Sequence, residues 1–233
     1  MTIAWSYSTL LDFEACPYRV KLKKVDKIDD GLDDNPILKD GKEKHELLEN
    51  YVLDLKAGKE PEFPECANKI KEKILEIIDQ YGIENVTPEQ KMSFDKDFTP
   101  LKGKDFWYSP NVWLRAVVDL IAHDGRQATV VDYKSGKHNP YASFRNIGQL
   151  QLYAVIAFLV YPEITTVSTY LMYMKDGKKT NKIYYRSKLP EYMEMFAERG
   201  NKVFLAETFP AKPSNSNCKY CGYKEEICEY AGD

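Results

Sequence analysis

Long hydrophobic segments are missing from this chain of 233 residues. Its longest apolar run, Leu150 to Val160, contains Gln151 and falls short of the roughly 20 apolar residues that span a membrane. The first residues lack the basic and apolar segments of a signal peptide, so we expect a cytoplasmic protein that does not enter membranes. The pattern Gly-x-x-x-x-Gly-Lys-Ser/Thr is also missing, which excludes a P-loop motor within this sequence.

The chain also has no excess of basic residues over acidic ones. Lys and Arg number 33 against 36 Asp and Glu, and the net charge of −3 argues against a coat protein that binds nucleic acid through a general basic surface. The charge does not argue against an enzyme whose acids hold a metal ion. With 43% hydrophobic residues, the chain can form one full core. We predict a single domain over residues 1–233, with a helical part at 1–88, a sheet core at 89–186, and a helix with a cysteine-rich tail at 187–233.

The order of predicted elements indicates an α/β or α+β fold. Helices are expected at 41–57 and 65–81, after a short helix within 6–24 and a loop at 26–40. Three strands follow at 89–98, 111–122 and 127–134, then a helix at 143–160, strands at 166–174 and 182–186, and a helix at 190–206. This order predicts a central mixed sheet flanked by helices.

Two acids and a lysine are predicted to meet on one β-hairpin. The strands around Asp119 and Asp132 are joined by an Asp-Gly pair, a strong hairpin signal. A turn centred on that pair places residue 119 opposite residue 130, so Asp119, Asp132 and Lys134 share one face of the sheet. Buried acids are costly unless they hold a cation, and this set suits Mg²⁺-assisted phosphodiester hydrolysis. The alternatives are a buried ion pair for Asp132 and Lys134, and a turn-capping acid for Asp119.

These residues resemble the PD-(D/E)XK nuclease superfamily, whose pattern reads here as Asp119 followed by Asp132-x-Lys134. Further motifs resemble the RecB-type exonucleases: Gly41-x-x-x-His45, Asp132-Tyr133-Lys134-Ser135-Gly136 and Gln149-x-x-x-Tyr153. One cysteine near the start and three near the end are similar to the iron–sulfur branch of that family. The branch includes AddB nuclease domains, small CRISPR-adaptation exonucleases and phage relatives. The resemblance extends from Ser6 to Cys228 and implies a restriction-endonuclease-like core.

The resemblance also implies roles for the motif residues. Mg²⁺ or Mn²⁺ would be held by His45, Asp119, Asp132 and the backbone carbonyl of Tyr133. Lys134 would position the attacking water or stabilise charge on the phosphate. Gln149 and Tyr153 lie one helical turn apart and would orient Lys134 or a phosphate. The alternative for His45 is a structural or exposed histidine.

Three other residues leave alternatives open. Glu89 is either an acid of the site on the first strand or a commonplace acid at a strand start. Trp107 and Tyr108 precede the hairpin, and they either stack on nucleic-acid bases or pack against the core and its rim.

Four cysteines supply enough thiolates for one [4Fe–4S] cluster or one tetrahedral zinc ion: Cys16, Cys218, Cys221 and Cys228. The resemblance favours the cluster, and we expect it alone to hold the N-terminal helix and the tail together. Cys66 fits neither pattern and is expected to be a free thiol.

The function implied by the resemblance is that of a metal-dependent exonuclease acting on DNA ends or single strands, in recombination, repair or DNA processing. A helicase or recombination protein would then be a partner on a separate chain. Three alternatives stay open: a structure-specific endonuclease on the same core, a non-catalytic module that binds DNA or a partner, and a zinc-stapled scaffold.

Overall fold

A mixed sheet of five strands lies at the centre of the fold, with strand order β1-β2-β3-β4-β5. The computed structural model describes residues 2–219, 221–223 and 227–231, without the side chains of residues 33 and 141–145. The strands are β1 (Val86–Phe94), β2 (Leu114–His123), β3 (Gln127–Lys134), β4 (Thr166–Tyr173) and β5 (Lys179–Tyr185). Strands β3 and β4 pair in parallel, and the other neighbours pair antiparallel. The predicted mixed sheet is confirmed, although it begins at Val86 rather than at residue 89.

Helices flank this sheet. They are α1 (Tyr7–Ala15), α2 (Pro17–Val20) with a π-helical turn at Lys21–Val25, α3 (Pro36–Lys56), α4 (Lys71–Tyr81), α5 (Pro140–Val160), α6 (Leu189–Phe204) and α7 (Asn215–Cys218). Short 3-10 turns lie at Leu32–Asp34, Glu65–Ile70, Ile83–Asn85 and Arg186–Lys188. Helix α5 makes the crossover that the parallel pair β3–β4 requires. Within the described part of the chain, no helix is both long enough and apolar enough to cross a membrane.

Helix α3 begins earlier than the sequence pattern suggested. We predicted a loop up to residue 40, but the helix starts at Pro36. The Asn35 side chain accepts a hydrogen bond of 2.9 Å from the Ile37 amide and so caps the helix. Proline at the first helical position lacks the amide hydrogen that would otherwise go unpaired. The start signal was therefore present in the sequence, in an acidic stretch that masked it.

Two hydrophobic clusters lie on opposite faces of the sheet. Adjacent residues of β3 divide between them, with Val130 in the first cluster and Val131 in the second. The first cluster contains Trp5 and much of α5, and the second is formed against α3 and α4. Both faces of the sheet are therefore covered, as expected for an α/β core.

Strands β1 and β2 share an irregularity at one position. Residues two apart on a strand normally face the same way, but Val118 belongs to the first cluster and Leu120 to the second. Asp119 lies between them. Directly across in β1, Glu89 adopts φ = +43°, a left-handed conformation that costs a non-glycine residue roughly 1–2 kcal/mol. Both strands therefore rotate at Glu89 and Asp119, which brings the two acids to the same place.

Candidate active site

The β2–β3 ladder stops where the candidate acids begin. Backbone pairing ends at Leu120 and Val131. Beyond that pair, the Tyr133 amide donates a 2.7 Å hydrogen bond to Asp119 Oδ2 instead of to a backbone carbonyl. The carboxylate therefore separates the two strands, and the space that opens between them holds the polar residues of the hairpin.

The register of this hairpin differs from the predicted one. We expected residue 130 opposite Asp119, but it pairs with Ile121. The loop has four residues rather than two, because Asp124 Oδ1 accepts hydrogen bonds from the amides of Arg126 and Gln127. Extended by one position, the register puts Asp119 level with Asp132. The shift is even, so both acids still share a face, as predicted.

Asp132 and Lys134 form an ion pair that continues into α5. Lys134 Nζ lies 2.6 Å from Asp132 Oδ2 and donates to Gln149 Oε1 over 3.2 Å. Gln149 Nε2 in turn donates to the Tyr153 hydroxyl over 2.7 Å. The structure thus brings four of the predicted residues into one connected chain. Held from two sides, the ammonium group of Lys134 has little freedom to move away from the acids.

Asp132 has unused capacity to bind a cation. The residue is 3% exposed, and within the described residues no hydrogen-bond donor is aligned with its Oδ2. The 2.6 Å contact with Lys134 Nζ partly compensates the buried charge. Burial still raises the pKa of the carboxyl group, so a further positive group would stabilise its charged form. Asp132 therefore fits the ligand shell of a divalent metal ion.

A second set of ligand atoms lies beside Asp119. One atom each of His45, Glu89 and Asp119 lies within 4.8 Å of the other two. His45 Nδ1 is 3.4 Å from Asp119 Oδ1, and its ring meets the Tyr133 ring edge-on at 5.8 Å. Carboxylate oxygens and an imidazole suit Mn²⁺ or, with water, Mg²⁺. The side chain of Tyr133 is buried in the second cluster, which leaves only its backbone for the site.

The shifted pKa values of the site residues indicate that a bound cation would stabilise the site. Burial, then the charges of Asp119 and Glu49, raise the pKa of Glu89 to about 7. Burial raises the pKa of Asp132 to about 6, against the opposing effect of Lys134. Burial acts to lower the pKa of His45, but Asp119 outweighs it and raises that pKa overall. A metal ion would offset both the burial and the repulsion between acids that raise these two pKa values.

Close packing against Ser135 explains why position 41 is a glycine. A methyl group there would lie 3.2 Å from Ser135 Oγ, closer than ordinary contact. Gly41 and His45 lie one turn apart on α3, so a close approach at the first brings the second beside the sheet. The spacing between glycine and histidine is thereby linked to the Asp132-Tyr133-Lys134-Ser135 segment.

Glu89 is one of the residues for which the sequence left two interpretations open. It lies in the same cluster as His45 and Asp119, although it is 44 positions from the first and 30 from the second. Its carboxylate reaches the site because of the left-handed backbone at this position. Strain of this kind collects at functional sites. The acid at a strand start was a visible signal, but the backbone conformation was not.

The four cysteines outside this site lie around one small cavity of about 30 Å³. Burial raises the pKa of Cys228, as do the neighbouring thiols of Cys221, Cys16 and Cys218. Within the described residues, their sulfur atoms form no set of three that all lie within 4.8 Å of one another. Cys66 lies apart from them, half-buried against the second hydrophobic cluster.

Hydrogen bonds also attach the tail to the N-terminal segment. Asn217 Nδ2 donates to the Ala15 carbonyl over 2.9 Å, and the Tyr223 hydroxyl donates to the Ile28 carbonyl over 2.8 Å. A methyl group at Gly222 would meet the Asp30 carbonyl oxygen at 2.2 Å, so the backbones approach closely there. Our expectation that the cysteines alone hold the tail is therefore wrong. The tail packs by its own contacts, and those contacts bring the thiols together.

Comparisons with known proteins agree with this geometry. The family model of the PD-(D/E)XK nuclease superfamily matches residues 4–229. The crystal structure of SSO0001 is similar over 99% of this chain and 88% of that chain, with a TM-score of 0.52 and 15% sequence identity. At that identity, the likeness shows a shared fold. No curated protein matches the sequence.

Proposed function

The chain belongs to the PD-(D/E)XK nuclease superfamily of metal-dependent nucleases, and on that premise we propose that it is a Mg²⁺- or Mn²⁺-dependent deoxyribonuclease that digests DNA from ends or along single strands. The observation that carries the proposal is the meeting of Asp119, Asp132 and Lys134 beside His45. A reducing cytoplasm is part of the proposal, because thiolates that bind metal persist there.

The proposed metal ligands are Asp119, Asp132, His45 and Glu89, with the backbone carbonyl of Tyr133. A divalent ion bound there would make water more acidic and polarise the phosphate. In the reaction, water attacks phosphorus and the bond to the 3′ oxygen breaks, leaving a 5′ phosphate and a 3′ hydroxyl.

Lys134 has a separate role in this proposal. Burial acts to lower its pKa, but Asp132 outweighs burial and raises it, so the side chain stays charged near neutrality. A charged ammonium group stabilises negative charge that develops on the phosphate oxygens. Gln149 accepts from the ammonium group, and Tyr153 is hydrogen-bonded to Gln149. These two residues therefore position Lys134 rather than react.

A [4Fe–4S] cluster on Cys16, Cys218, Cys221 and Cys228 is the second part of the proposal. The cavity that all four cysteines line supports a shared site, and either a cluster or a zinc ion would use their thiolates. The preference for the cluster over zinc rests on the similarity of the cysteine pattern to the iron–sulfur branch of the family.

Digestion of labelled DNA tests the proposed function. Protein purified without oxygen should shorten a 5′- or 3′-labelled linear single strand when Mg²⁺ or Mn²⁺ is added, and should leave a circular single strand intact. Rapid cutting of the circle would favour the endonuclease. Binding of both substrates without any cutting would favour a non-catalytic module and overturn the proposal.

Replacing His45 or Glu89 should weaken metal binding. We expect H45A and E89Q each to lower the affinity for Mn²⁺ by about 10- to 100-fold, by analogy with the loss of groups that support a metal site. Titration calorimetry on metal-free protein measures this. DNA binding should stay measurable, because neither side chain needs to contact the nucleic acid. Glu43→Gln is the matched control, since that acid is exposed on α3.

The variant Glu89→Gly separates strain from ligation. It removes the carboxylate but suits the left-handed backbone, so the metal-free protein should be more stable than E89Q. If both variants bind Mn²⁺ as tightly as the parent, Glu89 is not a ligand and the proposed ligand set must lose it.

A further inference from the structure

A cavity of about 450 Å³ adjoins the proposed active site. The N-terminal segment from Ala4 to Thr9 forms one wall, and residues 115–117 of β2 form another. Gln149 and Tyr153 line it as well, and these residues lead directly to Lys134. The cavity is therefore continuous with the hydrogen-bonded chain that positions the lysine. The proposed mechanism makes no use of it.

Two cations, Lys24 and Arg115, line this cavity, and within the described residues neither forms an ion pair. Burial lowers the pKa of Lys24, the charges of Lys23 and Arg115 lower it further, and the charge of Asp12 opposes them. Because repulsion from Arg115 outweighs attraction by Asp12, a bound anion would stabilise the two cations. Lys24 also lies on the π-helical turn, a feature that occurs frequently at functional sites.

An aromatic ring stands beside the cations. Trp107 lines the cavity, and the Arg115 guanidinium lies 5.8 Å from its ring centroid. Arg115 Nε also donates to the Trp107 carbonyl over 2.8 Å, which fixes the two residues relative to each other. A ring next to two cations suits a ligand that is both flat and negatively charged. A nucleotide in a single strand has this character, with an unpaired base and a phosphate.

The size of the cavity and its distance from the acids limit what can enter. Arg115 and Asp119 are four residues apart on β2, roughly 13 Å along the strand. That separation matches a few nucleotides of an extended strand, whereas a duplex is too wide for a cavity of about 450 Å³. We propose that the cavity binds a nucleotide of single-stranded DNA near the scissile bond, with Lys24 and Arg115 on the phosphate and Trp107 against the base. This inference rests on the proposed nuclease function.

Binding of fluorescent oligothymidylate to the full chain tests the subsite. The variants are K24Q and W107A, measured by anisotropy without divalent metal at several salt concentrations. Each should weaken binding about tenfold, as expected for a lost stacking or phosphate contact. K24Q should also reduce the slope of log affinity against log salt by about 0.7, the value for one phosphate of a single strand. Binding of a blunt duplex should not change.

Matched controls are available nearby. Tyr108→Ala removes the neighbouring aromatic ring, which is 81% exposed and does not line the cavity. Lys182→Gln removes an exposed cation on the edge strand β5. Both controls should bind oligothymidylate like the parent. If K24Q and W107A also bind oligothymidylate like the parent, the proposed subsite is wrong. It is also wrong if these variants lose affinity for the duplex as much as for oligothymidylate.

Cleavage assays keep the two proposals apart. If the parent digests DNA while K24Q and W107A bind and digest normally, the nuclease proposal stands and the subsite fails. If the parent cuts no DNA under any metal condition while K24Q and W107A still weaken binding of oligothymidylate, the proposed nuclease function fails and the subsite stands as a DNA-binding site. Tighter binding of oligouridylate than of oligothymidylate would overturn the assignment of the subsite to DNA.

Discussion

Replacing Asp132 by asparagine should abolish metal-dependent cleavage while the protein stays folded. The side chain keeps its shape but loses the charge that binds a cation. Its Oδ2 is buried, and no aligned hydrogen-bond donor serves it within the described residues. We expect cleavage of labelled single-stranded DNA to fall on the order of 10³-fold or more, in the range seen when groups that stabilise a charged transition state are removed.

The stability of this variant distinguishes a lost ligand from a damaged fold. Burial raises the pKa of Asp132 to about 6, so its charge is costly at neutral pH without metal. Asparagine removes that cost but leaves Lys134 without its acid. These effects oppose each other, so the metal-free variant should melt close to the parent. Added Mn²⁺ should raise the melting temperature of the parent much more than that of D132N.

Two further variants complete the experiment. Lys134→Ala should slow cleavage about 10²- to 10³-fold and affect metal affinity far less than D132N does. Asp79→Asn changes an exposed acid on α4 and should behave like the parent. Near-normal cleavage by D132N would show that Asp132 is not an essential metal ligand.

Replacing Cys16 by serine should remove the iron as completely as replacing Cys218. Protein purified without oxygen should be brown, with about four irons per chain, and both variants should be colourless. Losing a link that closes a loop of this length costs about 5 kcal/mol by loop-closure arithmetic. For a protein of this size, that corresponds to a melting temperature roughly 10–20 °C lower. Iron analysis and thermal melts measure the two effects.

Cys66→Ser is the matched control, and it should keep its iron because that thiol lies outside the cavity. Gly222→Ala should lower stability through the clash with Asp30 without removing any thiol. If analysis of the parent finds one zinc ion per chain, the cluster assignment is wrong but the four cysteines still form one shared metal site. Iron retained in C16S would show that the N-terminal segment does not contribute a ligand.

The sheet and the central acids could be predicted from the sequence because their signals come from residues close together in the chain. The limits of β3 were predicted correctly, and Asp119 and Asp132 were placed on one face even though the loop length was wrong by two residues. Alternation along strands tolerates an even shift, which is why that prediction survived. Hydrophobic periodicity likewise found α6 and most of α5.

The remainder depended on contacts that have no local signal. Glu89 joins the site through a left-handed backbone conformation in β1. The neighbouring residues in the sequence do not predict this conformation. The attachment of Asn217 and Tyr223 to the N-terminal segment links residues about 200 positions apart. The cavity beside Trp107 is lined by the N-terminal segment, β2 and α5, which are far apart in sequence. Such long-range features follow from tertiary packing and not from periodicity.

The contact between the tail and the N-terminal segment sets an order of events during translation. Cys16 leaves the ribosome about 200 residues before Cys228, which at 5–20 residues per second is roughly 10 to 40 s earlier. All five strands are synthesised in that interval, together with the acids on them. The sheet can therefore assemble first, while the early thiol waits in the reduced state. Iron insertion at a site shared by both segments becomes a late step of maturation, open to competition from oxidation of Cys16.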